Sequence, residues 1–205
     1  MKILNLYAGL GGNRKSWSGH PVTAVEQDER IARIYSDNFP EDEVVVGDAH
    51  TYLLEHYEEF DFIWSSPPCQ SHSRMVKATR HKVRKFPDLK LYEEVIFLKH
   101  FFTGLWVVEN VVPYYGYLIE PSHVISRHPL WCNFFISDFK MKYPKNFITI
   151  ENSAGAELLK KEYGIRYEGN IYLNGNHSPT QVLRNCVHPK MGLHILKSAE
   201  KEGSK

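Results

Sequence analysis

Short apolar runs alternate with segments of helical spacing through the first half of the chain, and this alternation constrains the fold more than any other feature. Lys2–Ala8 is apolar and runs into a glycine cluster. Val22–Glu26 is a second strand candidate, and Asp28–Asn38 has helical spacing closed by Pro40. Val44–Val46 is a short β-branched run, and Thr51–Tyr57 follows as a helix candidate. Phe60–Trp64 reads as a strand ended by Ser65-Ser66-Pro67-Pro68. Leu89–Phe102 has helical spacing at Leu91, Val95, Leu98 and Phe102, and Leu105–Val108 is a further buried strand. Strands and helices in this order build a parallel α/β sheet that works at the carboxyl ends of its strands.

The second half is less regular. Trp131–Ile136 reads as a strand, with Trp131, Phe134 and Phe135 as core residues. Residues 137–180 are rich in Lys, Tyr, Asn and Gly and have weak periodicity, and Pro189–Ala199 reads as a closing helix. A length of 205 residues suits one domain, or a domain with a small appendage. No run approaches the ~18 apolar residues of a membrane span, and no apolar segment with a small-residue cleavage site opens the chain, so a cytoplasmic protein without a membrane partner is expected. The three cysteines are too scattered for a disulfide framework, and without CxxC or HExxH no metal is expected. The net charge of +1 conceals an asymmetry: residues 1–61 carry −7 and residues 62–205 carry +8. The basic portion suits a polyanionic partner, although ordinary surface variation gives the same imbalance.

Five places carry candidate chemistry. Tyr7-Ala8-Gly9-Leu10-Gly11-Gly12 is a glycine-rich turn after the first strand, where a ligand can approach backbone. A plain turn explains it as well when it is taken alone. Glu26 ends the second strand, suited to ribose hydroxyls, and Asp48 follows the third, suited to an adenine amine; taken alone, each reads more readily as a cap or turn former. Cys69 stands in Ser65-Ser66-Pro67-Pro68-Cys69-Gln70, a rigid placement that suits a nucleophile, with Arg74 near enough in sequence to favour the thiolate. A small buried cysteine is the plainer alternative. Glu109, in Glu109-Asn110-Val111, ends a buried strand, where partial desolvation lets a carboxyl keep a proton, or where it serves as a cap or salt-bridge partner.

Taken together, these blocks resemble the cytosine-5 DNA methyltransferase family. YAGLGG, VEQD, GDA, PPCQ and ENV occur in the family's order over roughly residues 3–115. A weaker block, Arg184-Asn185-Cys186-Val187-His188-Pro189, looks like the family's closing Asn-x-Val-x-Pro motif. The resemblance implies an S-adenosylmethionine-dependent methyltransferase sandwich: a mostly parallel sheet with helices on both faces, plus a small irregular recognition segment. It implies methylation of cytosine C5 in double-stranded DNA, with S-adenosylmethionine as cofactor. Cys69 would add to C6, Glu109 would bind N3 and the exocyclic amine, and the target base would leave the stack. Tyr7 would pack on the adenine, and Gly9 and Gly11 would admit the methionine moiety beside Leu10. Glu26 would bind the ribose and Asp48, next to Ala49, the adenine amine. Pro67 would line the adenine site, and Asn185 and Val187 would close the pocket.

The segment after Cys69 would bind DNA. Arg74, Lys77, Arg80, Lys82, Arg84 and Lys85 form a run without an acid that suits phosphates, and Gln70, Ser71, His72 and Ser73 would add polar contacts near the flipped base. The remaining histidines read as surface or core residues, and Cys132 and Cys186 as structural. The chain departs from the family's Gln-x-Arg-x-Arg block: it offers only Ser126-Arg127-His128, with Arg127 as the candidate arginine near the cytosine carbonyl. The expected division is a catalytic and cofactor domain over 1–136, a reduced target-recognition segment over 137–180, and a returning C-terminal segment over 181–205. Lys140, Lys142, Lys145, Asn146, Asn152, Arg166, Asn174, Asn176 and His177 are the DNA-contact candidates of the middle segment. So small a segment should read a short or relaxed sequence context. A monomer is expected, in host restriction-modification or as a phage enzyme. The rival functions are the same reaction on RNA, a catalytically weak DNA-binding relative, and modification of free cytosine nucleotides.

Overall fold

Seven strands form one sheet in the order β3-β2-β1-β4-β5-β7-β6. They are β1 (Ile3–Leu6), β2 (Val22–Glu26), β3 (Glu43–Val46), β4 (Phe62–Ser65), β5 (Leu105–Glu109), β6 (His123–Ile125) and β7 (His128–Cys132). The first five are parallel to one another. β7 runs antiparallel to both β5 and β6. The helices are α1 (Glu29–Asn38), α2 (Ala49–His56), α3 (Lys90–Phe101), α4 (Ser153–Tyr163), the short α5 (Gln181–Arg184) and α6 (Pro189–Gly203). The structure, a computed structural model, describes residues 1–74, 86–141, 151–172 and 178–204. Among these no helix is long and apolar enough to cross a membrane.

The central strands are apolar on both faces because both faces are covered. Ile3, Phe62, Trp64 and Val107 point to one side and meet Met191, Ile195 and Ala199 of α6. Leu4, Ile63, Trp106 and Val108 point to the other and meet Leu53 of α2 and Leu91, Val95 and Leu98 of α3. The alternation follows the strand period of two. Local signals start the helices: the Asp28 carboxylate accepts from the Arg30 N–H at the head of α1, and Asp48 accepts from the Thr51 N–H at the head of α2. At the closing end, Gly192 lets α6 lie directly on the glycine-rich loop, since a Cβ there would stand 2.7 Å from Asn13 Cα.

Three sequence expectations are corrected. The strand read at Trp131–Ile136 begins three residues earlier, at His128, and stops at Cys132. Pro129 is accommodated because its missing N–H lies at the strand's start, while its carbonyl accepts from Asn110 N. Beyond Cys132 the side chain of Asn133 replaces the ladder, accepting from Trp106 N and donating to Gly104 O. Phe134 stays in the core, but Phe135, past the strand's end, is 71% exposed. Finally, the segment 137–180 is not irregular throughout. It contains α4, capped at Asn152 and ended by Gly164 in the left-handed region, and α4 buries Ala156, Leu159 and Tyr163 against Leu10 and Ile31.

Candidate active site

The carboxyl ends of β1, β2, β3, β4 and β5 bring most of the described candidate residues to one edge of the sheet. On the β1–β2 side, the Gly9 N–H donates to Glu26 Oε2 at 2.9 Å, and Asp28 N donates to Oε1 at 2.9 Å. Both loops therefore hold the carboxylate in place, with lone pairs left over for hydroxyl donors. Gly11 adopts φ +76, and a Cβ there would stand 2.8 Å from the Tyr35 ring, so only glycine fits this bend. Leu10 is fully buried, with its side chain in the core beneath α4. Asp48 is exposed; its Oδ1 caps α2, and its Oδ2 stands 3.9 Å from Lys90 Nζ. Ala49 is buried behind it. The Val187 side chain lies in the core below α6, and Asn185 Oδ1 accepts from Gln181 Nε2.

Tyr7 has φ 55, an uncommon value for a residue with a side chain, and its hydroxyl donates to Glu94 of α3. Glu94 is fully buried and also receives Ser65 Oγ and His50 Nδ1. Burial, followed by the Glu94 charge, pushes the Tyr7 phenol far up. The Glu94 hydrogen bond pulls the His50 imidazole up, against its desolvation.

On the β4–β5 side, the chain leaves Ser65 and passes through Ser66, buried Pro67 and Pro68 to Cys69, whose carbonyl accepts from His72 N and Ser73 N. Asn110, at the end of the adjacent strand, is buried and donates from Nδ2 to Pro67 O at 2.9 Å. Its Oδ1 accepts from Val111 N. The side chain thus ties the Cys69 loop to the residue after Glu109. Glu109 is itself buried: Ser66 Oγ donates to Oε2 at 3.0 Å, and His128 Nδ1 lies 2.6 Å from Oε1. Trp64 Nε1 in turn donates to Ser66 Oγ.

The thiol of Cys69 is pushed up to about 11, chiefly by burial and then by the Glu109 charge. The nearby cation opposing this rise is Arg127, not the expected Arg74, and it is outweighed. Arg127 arrives on the two-residue turn between β6 and β7, where Ser126 takes φ 59. Such a turn carries on the order of 1–2 kcal/mol of backbone strain at a non-glycine residue.

Beyond Cys69, Gln70 and Arg74 are exposed, and Ser71 Oγ accepts from Asp88 N. Ser73 bridges to Pro113. His72, expected near the base, is instead buried, with Nδ1 against the Tyr115 hydroxyl, and burial lowers its basicity. Lys77, Arg80, Lys82, Arg84 and Lys85 lie outside the described residues, as do Lys142, Lys145, Asn146, Asn174, Asn176 and His177. Asn152 spends its side-chain oxygen on capping α4, and the Arg166 backbone pairs with Asn38. Sequence reasoning missed Ser66, Glu94 and His128. It treated His128 as an ordinary histidine, although the residue adjoins the Arg127 candidate.

The family model for C-5 cytosine-specific DNA methylases matches residues 1–112, more than half of the chain. The chain belongs to that family. No curated protein matches it. Among solved structures, the methyltransferase EhMeth of Entamoeba histolytica superposes with a TM-score of 0.60 at 12% identity, covering 98% of each chain. A DNMT2 mutant of Spodoptera frugiperda is 24% identical over 54% of this chain, with a TM-score of 0.40. The methylase spans 35% of that chain's length. The fold is that of the S-adenosylmethionine-dependent methyltransferases, and S-adenosylmethionine is the methyl donor of the family. The residues present fit it: a backbone-held carboxylate ends β2, a bend that only glycine tolerates follows β1, and an exposed acid follows β3.

Proposed function

We propose that this methylase modifies C5 of cytosine in double-stranded DNA through a covalent Cys69 adduct, in a short or relaxed sequence context. The observation that carries the reading is the junction of β4 and β5. Asn110 pins the Pro67 carbonyl, and Ser66 bonds Glu109, so the nucleophile and the acid belong to one hydrogen-bonded unit. The basic excess of residues 62–205 supports a polyanionic substrate.

Cys69 first gives up its proton to solvent. Its thiolate adds to C6 of the flipped base. As the Sγ–C6 bond forms, the C5=C6 pair moves to C4–C5, and the C4=N3 pair moves onto N3, which takes the proton of the Glu109 carboxyl. C5, now electron-rich, takes the methyl group. Loss of the C5 proton to solvent then restores the C5=C6 bond, expels the Cys69 thiolate and returns the N3 proton to Glu109. The bound donor supplies an electrophilic methyl; Glu26 would hold its ribose, Asp48 its adenine amine, and the Gly9–Gly11 backbone its methionine end. Tyr7, Ala49 and Pro67 would flank the adenine, with Leu10, Asn185 and Val187 behind the loop. The exposed Gln70 and Arg74, with Ser71 and Ser73 at the root of the basic segment, would meet the DNA beside Lys77, Arg80, Lys82 and Arg84. Arg127 would hold the cytosine carbonyl oxygen.

Base-resolution mapping of 5-methylcytosine tests this on unmethylated duplex DNA incubated with the protein and S-adenosylmethionine. Methylation in a defined short context is expected. No methylation of duplex DNA by a protein shown to bind the donor would overturn it.

A further inference from the structure

Glu109 has a second buried contact, to His128, that the proton transfer to N3 does not itself require. His128 opens β7 directly after the strained turn at Ser126, so the geometry that presents Arg127 also drives His128 against β5. Its Nδ1 lies 2.6 Å from Glu109 Oε1, shorter than an ordinary N–H···O contact and in the range of charge-assisted bonds. Both side chains are buried, at 6% and 8% exposure. The opposite carboxyl oxygen, Oε2, accepts only the neutral hydroxyl of Ser66 among the bonds described, which leaves it the oxygen suited to serve N3. Cys69 from the β4 loop feels both the Glu109 charge and that of Arg127 from the turn, so these groups share the electrostatics of this corner.

We propose that His128 is a positioning residue that holds one exchangeable proton jointly with Glu109 and, by donating from Nδ1 to Oε1, steadies the carboxylate formed when Glu109 protonates N3. The inference rests on the proposed function and deepens it. A lone buried carboxyl that delivers a proton is left as an ion facing a low-dielectric corner, which is costly. An imidazole N–H on its far oxygen offsets that cost at the moment the charge appears. At 2.6 Å the two groups are close enough for a change of protonation on one to be felt by the other.

The test is the pH profile of single-turnover methylation on duplex DNA for the wild type, His128→Asn and His128→Ala. Release of tritium from C5-labelled cytosine, without donor, reads addition and C5 proton exchange independently of methyl transfer. Asparagine keeps an N–H near the Nδ1 position but cannot titrate. It should stay within about threefold of wild type at pH 6.5, while its alkaline loss of rate moves down by about one pH unit or more. Alanine should lose about 30-fold in both readouts, with donor affinity unchanged. Profiles that overlay the wild type for both variants would overturn the proposal. If the variants do not fold, nuclear magnetic resonance of the wild type replaces them: Nδ1 of His128 and the Glu109 carboxyl carbon should share an inflection, and independent inflections would sink the pairing. A fully active Glu109→Gln would instead remove the proposed role of Glu109 itself, so the two failures are distinguishable.

Discussion

The Tyr7 hydroxyl donates to Glu94 Oε1 at 2.5 Å, joining the glycine-rich turn after β1 to a helix 87 residues further on. Ser65 and His50 complete the set, so one buried carboxylate fastens the ends of β1 and β4 and the start of α2. Removing it leaves three polar groups without their acceptor. Glu94→Ala should cost about 3 kcal/mol or more of unfolding free energy, read by urea denaturation. Glu94→Gln, which keeps one acceptor, should cost clearly less. A variant as stable as the wild type would refute the anchoring role.

The same cluster gives a pH dependence. His50 is pulled up by Glu94, so the folded protein holds its proton more tightly than the unfolded chain. That stabilisation is complete below the unfolded imidazole value and is lost as pH rises through the higher folded one. The urea midpoint should therefore fall between pH 6 and pH 8, and by a smaller amount in His50→Gln. An equal fall in both proteins would remove His50 as its source.

Cys69 rests as a thiol in the free protein, pushed up to about 11. Only the thiolate is alkylated by iodoacetamide, so its labelling rate should climb about tenfold per pH unit from 7 to 9 without a plateau. A plateau near pH 7 would show a thiolate stabilised before DNA arrives. Cys69→Ser should abolish methyl transfer while leaving donor binding intact.

Asn110 offers a cleaner separation of placement from stability. Asn110→Ala frees the Pro67 carbonyl and the Cys69 loop with it. The single-turnover rate should fall at least about tenfold, since a small misplacement of a nucleophile is expensive in rate. Donor affinity, measured by calorimetry, should change little. A matched loss in both would point to general collapse of the site.

For the basic segment, reversing two charges among Arg80, Lys82 and Arg84 should weaken duplex binding and flatten its dependence on salt. Unchanged affinity across salt concentrations would leave these residues as an ordinary solvated surface.

Much of the sheet was legible because its strands are buried on both faces, which makes them near-continuous apolar runs such as Ile3–Leu6 and Phe62–Ser65. The family blocks were legible for a different reason: they sit at strand ends, where few residue types do the work. What escaped was information that crosses the chain. Glu94 stands beside a second acid, Glu93, on its helix, and only folding shows that Tyr7, Ser65 and His50 converge on it. His128 was passed over because the strand was read from Trp131, whereas it starts at His128 and tolerates Pro129 in its first residues. α4 did carry signals in Asn152, Ala156, Leu159, Tyr163 and Gly164, diluted by the polar residues on either side.

The family model matches residues 1–112, but the face of the sheet formed by Ile3, Phe62 and Trp64 is covered by Met191, Ile195 and Ala199. The closing helix also lies against Asn13 through Gly192. The signature-bearing half is therefore not a separable module. Any division of this methylase into complementing fragments has to leave α6 with the first strands, and a cut after β5 would strip one half of its sheet bare.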